Sequence, residues 1–198
     1  MKLVVGTEST WSLRVWLCLQ IAELSADETV IDLAAPDYKQ QLSPLSPTCQ
    51  VPVLYDGDTA IHDSLAIAEY LNEKSGGKLL PDDPTNRAIA RSLCAELHAG
   101  FQQLRGTCPF HLGKPKTVEL TPALSHELAR LEAIFAGANG PFMFEKPSMV
   151  DAFYALMAYR LASYGLHLTG NAGDYQRSLI SWPLMQQATT HASDWQNV

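Results

Sequence analysis

Three short stretches carry the side chains best suited to chemistry. Ser9, Thr10, Trp11 and Ser12 follow the apolar run Leu3-Val4-Val5, which ends at Gly6, and they open a helical pattern. A helix start presents unpaired N–H groups and the positive end of the macrodipole, so it favours an anion. A hydroxyl there can donate a hydrogen bond to a thiolate, although ordinary capping accounts for the same residue types. An enzyme of disulfide exchange would carry a reactive Cys at such a turn, usually as CxxC, and this turn carries hydroxyls instead. Gln50-Val51-Pro52 is the second stretch. A proline at a strand start needs an edge or a special turn, which a cis peptide bond can supply. Val51 could then offer its backbone N–H and C=O to an extended peptide, as an added strand does. Asp63-Ser64 opens a second helical pattern. Ser64 and the N–H groups beside it could receive a carboxylate, and Asp63 an ammonium group. Together the three stretches describe a ligand with an amino-acid end, a peptide middle and a thiol end, without forcing that ligand.

The elements that must position these residues follow from periodicity. Leu3-Val4-Val5 reads as a buried strand. A helix is expected from about Trp11 to Glu23, with Leu13, Trp16, Leu17 and Ile21 at helical spacings. Thr29 to Leu33 is a second strand, parallel to the first because a helix joins them. A loop from Ala35 to Gln50 contains Ser43-Pro44 and Ser46-Pro47, both biased against helix. Val51 to Tyr55 and Thr59 to Ile61 flank Asp56-Gly57-Asp58 and make a hairpin. A helix follows from about Ser64 to Lys74. The order is βαβ, loop, ββα.

Turn residues then run from Gly76 to Pro84. From Arg87 onward the pattern is helical throughout. Helices are expected over Arg87 to about Leu104, over Pro122 to Gly137 with Thr121 as cap, and over Ser148 to about Tyr164. Shorter helices are expected over Tyr175 to Ser181 and Pro183 to His191. The predicted organisation is a mixed α/β domain at 1–77, a linker at 78–86 and an all-α domain at 87–198. Ser148-Met149-Val150-Asp151 forms a capping box: Ser148 serves the first turn while the Asp151 carboxylate reaches back to the Ser148 N–H. Replacing Asp151 by Ala should cost about 1 kcal/mol or more.

Composition bounds the function. The chain has 198 residues, 46% of them hydrophobic, enough to fill the core of one or two small domains. The net charge of -7 and the lack of a basic stripe argue against nucleic acid as partner. No apolar run is long enough to span a bilayer, and the N-terminus lacks leader chemistry, so a cytoplasmic protein is expected. Cys18, Cys49, Cys94 and Cys108 form no CxxC pair and read as free thiols. The six histidines are scattered without HExxH, so no metal is expected.

The ordered motifs resemble one family. Ser9-Thr10-Trp11-Ser12-Leu13-Arg14 comes first. Ser46-Pro47-Thr48-Cys49-Gln50-Val51-Pro52-Val53-Leu54 and Asp63-Ser64-Leu65-Ala66-Ile67-Ala68-Glu69-Tyr70-Leu71 follow. Leu80-Pro81, Arg87, Ala95-Glu96-Leu97-His98 and the Ser148–Asp151 box complete the set. This set looks like the cytosolic glutathione S-transferases, in particular the bacterial and zeta-like class with serine at the first helix. The resemblance implies a thioredoxin-like first domain that binds glutathione and an all-helical second domain that receives the electrophile.

Residue by residue, it implies that Ser9 holds the glutathione thiolate, with Thr10 and Ser12 as further donors. Lowering a thiol pKa by about two units needs roughly 2.7 kcal/mol, within reach of a hydroxyl and a helix end. Trp11, Gln50, Val51, Pro52, Asp63 and Ser64 are the implied glutathione contacts. Val51 pairs with the cysteinyl backbone, Asp63 and Ser64 hold the γ-glutamyl end, and Gln50 reaches the glycyl carboxylate. His98, Phe101, Gln102 and Arg105, on one helical face, are the implied electrophile pocket. Arg105 and His111 could meet an acidic substrate or simply be solvated. A homodimer and a role in detoxification are implied as well.

Two departures matter. Cys49-Gln50 stands where relatives often have Gly-Lys. Trp11 stands where the maleylacetoacetate isomerases of the zeta class carry Cys. The expected function is conjugation of glutathione to small electrophiles. The alternatives are a glutathione-dependent isomerase or reductase, or a non-catalytic binding protein of the same fold.

Overall fold

The computed structural model describes residues 1–197. Its first unit comprises Met1–Leu79, together with the residues from Gln187 to the end of the described chain. Strands β1 (Lys2–Gly6) and β2 (Asp27–Ile31) pair in parallel, and α1 (Thr10–Ala22) makes the crossover. A parallel pair needs such a connection because its strands begin at the same end. β3 (Val53–Asp56) runs antiparallel to β1, and β4 (Thr59–Ile61) antiparallel to β3. The sheet order is β2-β1-β3-β4. Helix α3 (Ser64–Lys74) completes the expected βαβ–ββα order.

Alternation along the strands divides the core into two layers. Val4, Ile31 and Val53 lie with Leu42 on one side. Leu3, Val5 and Leu54 point the other way and are fully buried. Helices α1 and α3 pack on each other and on β1 and β3. Both faces of β1 are thus covered, which is why Leu-Val-Val reads as an unbroken apolar run.

β2 begins and ends earlier than its Thr29 to Leu33 expectation. Asp32 leaves the ladder because its carboxylate accepts from the Ala34 N–H at 2.9 Å and from Thr7 Oγ1 at 3.3 Å. The loop expected over 35–50 contains a one-turn helix, α2 (Tyr38–Leu42), which drives Leu42 into the sheet core.

The second unit, Leu80–Gln186, is helical. It contains α4 (Pro84–Ala99), α5 (Gln102–Thr107), α6 (Pro122–Ala136), α7 (Met149–Ser163) and α8 (Gly170–Ser181), and α9 (Pro183–Trp195) starts within it. α7 is buried along nearly its whole length. Its capping box is formed as the sequence predicts. Asp151 does more than close the box. Its Oδ2 accepts from the Ser148 N–H at 2.8 Å and Ser148 Oγ at 2.9 Å. Its Oδ1 accepts from the Met143 N–H and the Tyr175 hydroxyl, each at 2.8 Å. Burial raises the Asp151 pKa, and these four donors oppose the rise.

The helix expected over Arg87 to about Leu104 is two helices. α4 stops at Ala99, and Phe101 adopts a left-handed conformation with φ 58° before α5 begins. Gly100 permits the break, since a Cβ there would lie 2.9 Å from the Glu96 carbonyl oxygen. The helix that begins at Pro183 runs past its expected end at His191 to Trp195.

Candidate functional site

The β1–α1 turn is built around Gly6. The Gly6 carbonyl accepts from the Ser9 N–H at 3.2 Å, and the Gly6 N–H donates to Ser12 Oγ at 3.2 Å. A Cβ on Gly6 would come within 2.6 Å of Leu33 and 2.9 Å of the Val51 side chain. Val51 is therefore packed against the end of β1, three residues before Ser9. The Gly6 requirement was invisible in the strand pattern, because it comes from two residues far along the chain.

Ser9 is the N-cap of α1, and its Oγ accepts from the Ser12 N–H at 3.2 Å. Its lone pairs serve the helix, while its O–H remains a donor. Thr10 is also nearly buried, at the first turn. Ser12 is fully buried, and its hydroxyl joins helix to strand through Gly6. Trp11 covers the buried Arg14 guanidinium, which lies 4.4 Å from the ring centre. Thr7 ties the turn to β2: its N–H donates to the Ile31 carbonyl at 3.0 Å, and its Oγ1 accepts from the Leu33 N–H at 3.0 Å.

The second stretch is shaped by Ser46. Its Oγ donates to the Gln50 carbonyl at 2.7 Å and accepts from the Gln50 N–H at 3.1 Å. This clamp turns the loop into β3. A Ser five residues before the Val-Pro pair is its sequence signal, which spacing alone marks as a helix breaker and not as a clamp. The Val51–Pro52 peptide bond is cis. Among the described residues, no hydrogen bond occupies the Val51 N–H or C=O. Gln50 and Cys49 are exposed. Of the other cysteines, Cys18, Cys94 and Cys108 are buried. Burial pushes the Cys18 thiol far above its usual range and raises that of Cys108.

At the third stretch, Asp63 caps α3. Its Oδ1 accepts from the Leu65 N–H at 2.9 Å and the Ala66 N–H at 3.3 Å. Ser64 is fully buried, and its Oγ has no hydrogen-bond partner among the described residues. A buried hydroxyl without a partner is unfavourable by itself, so it fits a site completed by a polar ligand atom.

The helix break separates the four residues expected on one face. His98 lies on α4, Gln102 and Arg105 on α5, and Phe101 is buried between them. The Arg105 guanidinium turns back to the end of α4. It donates to the Leu97 carbonyl, and to that of His98 at 3.3 Å. Burial lowers its pKa.

Residues 8–74 match the family model of the glutathione S-transferase N-terminal domain. A probable maleylacetoacetate isomerase of Caenorhabditis elegans is 34% identical over 97 residues, 48% of this chain and 45% of that protein. The chain thus spans less than half of that relative's length. A stringent starvation protein A homolog of Coxiella burnetii is 29% identical over 174 residues, 87% of this chain and 81% of that protein. A glutathione transferase homolog from Burkholderia BGR1, solved with bound glutathione, superposes with a TM-score of 0.74 at 24% identity. That match covers 98% of this chain and 97% of the other, and it establishes the fold as thioredoxin-like plus all-helical. The matched residues run from the Ser9 turn through the end of α3, so over all three stretches the chain is similar to the N-terminal domain of the glutathione S-transferases.

Proposed function

We propose that this protein is a glutathione S-transferase that joins the glutathione sulfur to small electrophiles. The observation that carries the reading is the family-domain match over 8–74, which contains the Ser9, Val51-Pro52 and Asp63-Ser64 elements together. Ser9 donates its hydroxyl hydrogen to the thiolate at the positive end of α1, and Thr10 flanks it. The thiolate is the nucleophile, so holding it ionised near neutral pH is the chemical contribution of this turn. The Val51 N–H and C=O pair with the cysteinyl backbone. Asp63 and Ser64 receive the γ-glutamyl end, Gln50 the glycyl carboxylate, and Trp11 flanks the site. The buried Ser64 hydroxyl supports this assignment because it needs a polar partner. Ser12 acts through the turn, as its hydroxyl is held by Gly6. The α4–α5 corner, with His98, Phe101 and Gln102, is the proposed electrophile contact. Arg105 supports that corner by capping α4. A cytoplasmic homodimer acting in detoxification is the physiological form we propose.

Two other readings have specific support. Isomerisation is favoured by the 34% identity to the nematode isomerase, and opposed by Trp11, where the resemblance implies a Cys in the zeta isomerases. A non-catalytic binding role is favoured by the Coxiella relative, which matches over far more of the chain and whose name carries no enzyme activity. Calorimetric titration with glutathione, followed by turnover with a panel of electrophiles and with a cis-alkene diacid, separates the three. Conjugate formation supports the transferase. Isomer without conjugate supports the isomerase. Binding without turnover supports the binding protein.

A further inference from the structure

The last described residues return to the first unit and converge on one carboxylate. His191 Nε2 lies 2.8 Å and 3.0 Å from the two Glu28 carboxylate oxygens. Trp195 Nε1 donates to Glu28 Oε2 at 2.8 Å. Glu28 belongs to β2, at the edge of the sheet. The His191 ring stacks on Trp16 of α1 with centroids 4.8 Å apart, and Trp195 meets His191 edge-on at 5.2 Å. One residue further, Gln196 Nε2 donates to Glu8 Oε1 at 2.9 Å.

Glu8 is the residue immediately before Ser9, and its φ is 57°. A non-glycine residue in that region persists only where its surroundings hold it. One exposed hydrogen bond is weak alone. Here it sits at the end of a segment already pinned by three bonds to Glu28 and by an aromatic stack on α1.

We propose that the segment 187–197 is a strap that positions the Ser9 turn. Glu28 anchors it through His191 and Trp195, and Gln196 holds Glu8 so that Ser9 caps α1 with its hydroxyl in place. Glu28, His191, Trp195 and Gln196 are positioning residues. The functional consequence rests on Ser9 as thiolate donor, whereas the mechanical claim does not.

The experiment uses the full chain with Glu28→Ala, Gln196→Ala and the conservative Glu28→Gln. Amide hydrogen exchange over residues 7–12 is measured first, without glutathione. Roughly tenfold faster exchange is expected in Glu28→Ala, with a smaller increase in Gln196→Ala, partial recovery in Glu28→Gln and unchanged exchange in α7. The pH profile of bound glutathione thiolate is measured next. It should move to higher pH in both alanine variants, while affinity for S-methylglutathione stays within about twofold. Unchanged exchange over 7–12 in folded variants overturns the strap. Faster exchange with an unmoved thiolate profile overturns its role in positioning Ser9. If the wild type forms no thiolate at all, the transferase reading falls, and the exchange arm still decides the strap. Gln196 is exposed, so its variant folds even where Glu28→Ala does not.

Discussion

Ser9 carries two duties on one oxygen. As N-cap it accepts from the Ser12 N–H, and as proposed thiolate donor it gives its hydrogen away. Ser9→Ala should therefore lose about 1 kcal/mol of stability from the cap, seen as a lowered Tm, as well as thiolate formation. Ser12→Ala should separate the duties. It frees the Gly6 N–H and loosens the strand–helix joint, while the Ser9 hydroxyl stays. Gly6 itself leaves no space for a side chain. Gly6→Ala would push Leu33 and Val51 apart and should destabilise the fold by about 1–3 kcal/mol, measured by denaturant unfolding. It should also weaken glutathione binding, because Val51 moves. At this scale the capping hydroxyls of the β1–α1 turn and the Val-Pro pair were legible from local spacing. Gly6 and Ser46 were not, because what they do depends on partners that folding brings to them.

At the scale of elements, the strands and main helices follow the periodicity, and two of the departures occur where a side chain ends an element early. Asp32 closes β2 before its apolar pattern ends. Gly100 and Phe101 split the expected long helix, though the apolar spacing runs on without interruption. The Ser148–Asp151 box was legible, but only as a cap. Folding adds Met143 and Tyr175 to the same carboxylate, so Asp151→Ala would leave several buried donors unpaired. Its cost should be about 3 kcal/mol or more, well above the 1 kcal/mol of a simple cap, and is read from urea unfolding. Glu96 on α4 and Arg130 on α6 form a forked pair at 2.6 Å and 2.8 Å. The Arg130 hydrogen bond lowers the Glu96 pKa, so the folded state holds this carboxylate ionised below its usual value. The pair's contribution is present above the unfolded pKa and is lost as pH falls through the folded one. Arg130→Ala should cost less than about 1 kcal/mol at pH 7, and progressively less as pH falls through the folded pKa of Glu96.

On the scale of the whole molecule, the chain forms two units whose boundary in sequence is not a single point. Residues 187–197 belong to the first unit, where His191 and Trp195 meet the Glu28 carboxylate. Nothing local marks this, since Trp195 and His191 look like an ordinary helix face until Glu28 is beside them. Ending the chain after Gln186 should reduce exchange protection in β2 and α1 and leave α7 protected. Equal loss in both units would contradict that assignment. No helix among the described residues is long and apolar enough to cross a membrane.

The proposed chemistry of the Ser9 turn is ionisation of the glutathione thiol. Thiolate absorbance of glutathione bound to the wild type, followed from pH 5 to 9 beside Ser9→Ala, tests it most directly. We predict a thiol pKa in the wild-type complex about two units below the free value of about 8.5, returning toward that value in Ser9→Ala with glutathione still bound. Bound glutathione whose thiol ionises alike in both proteins would contradict it.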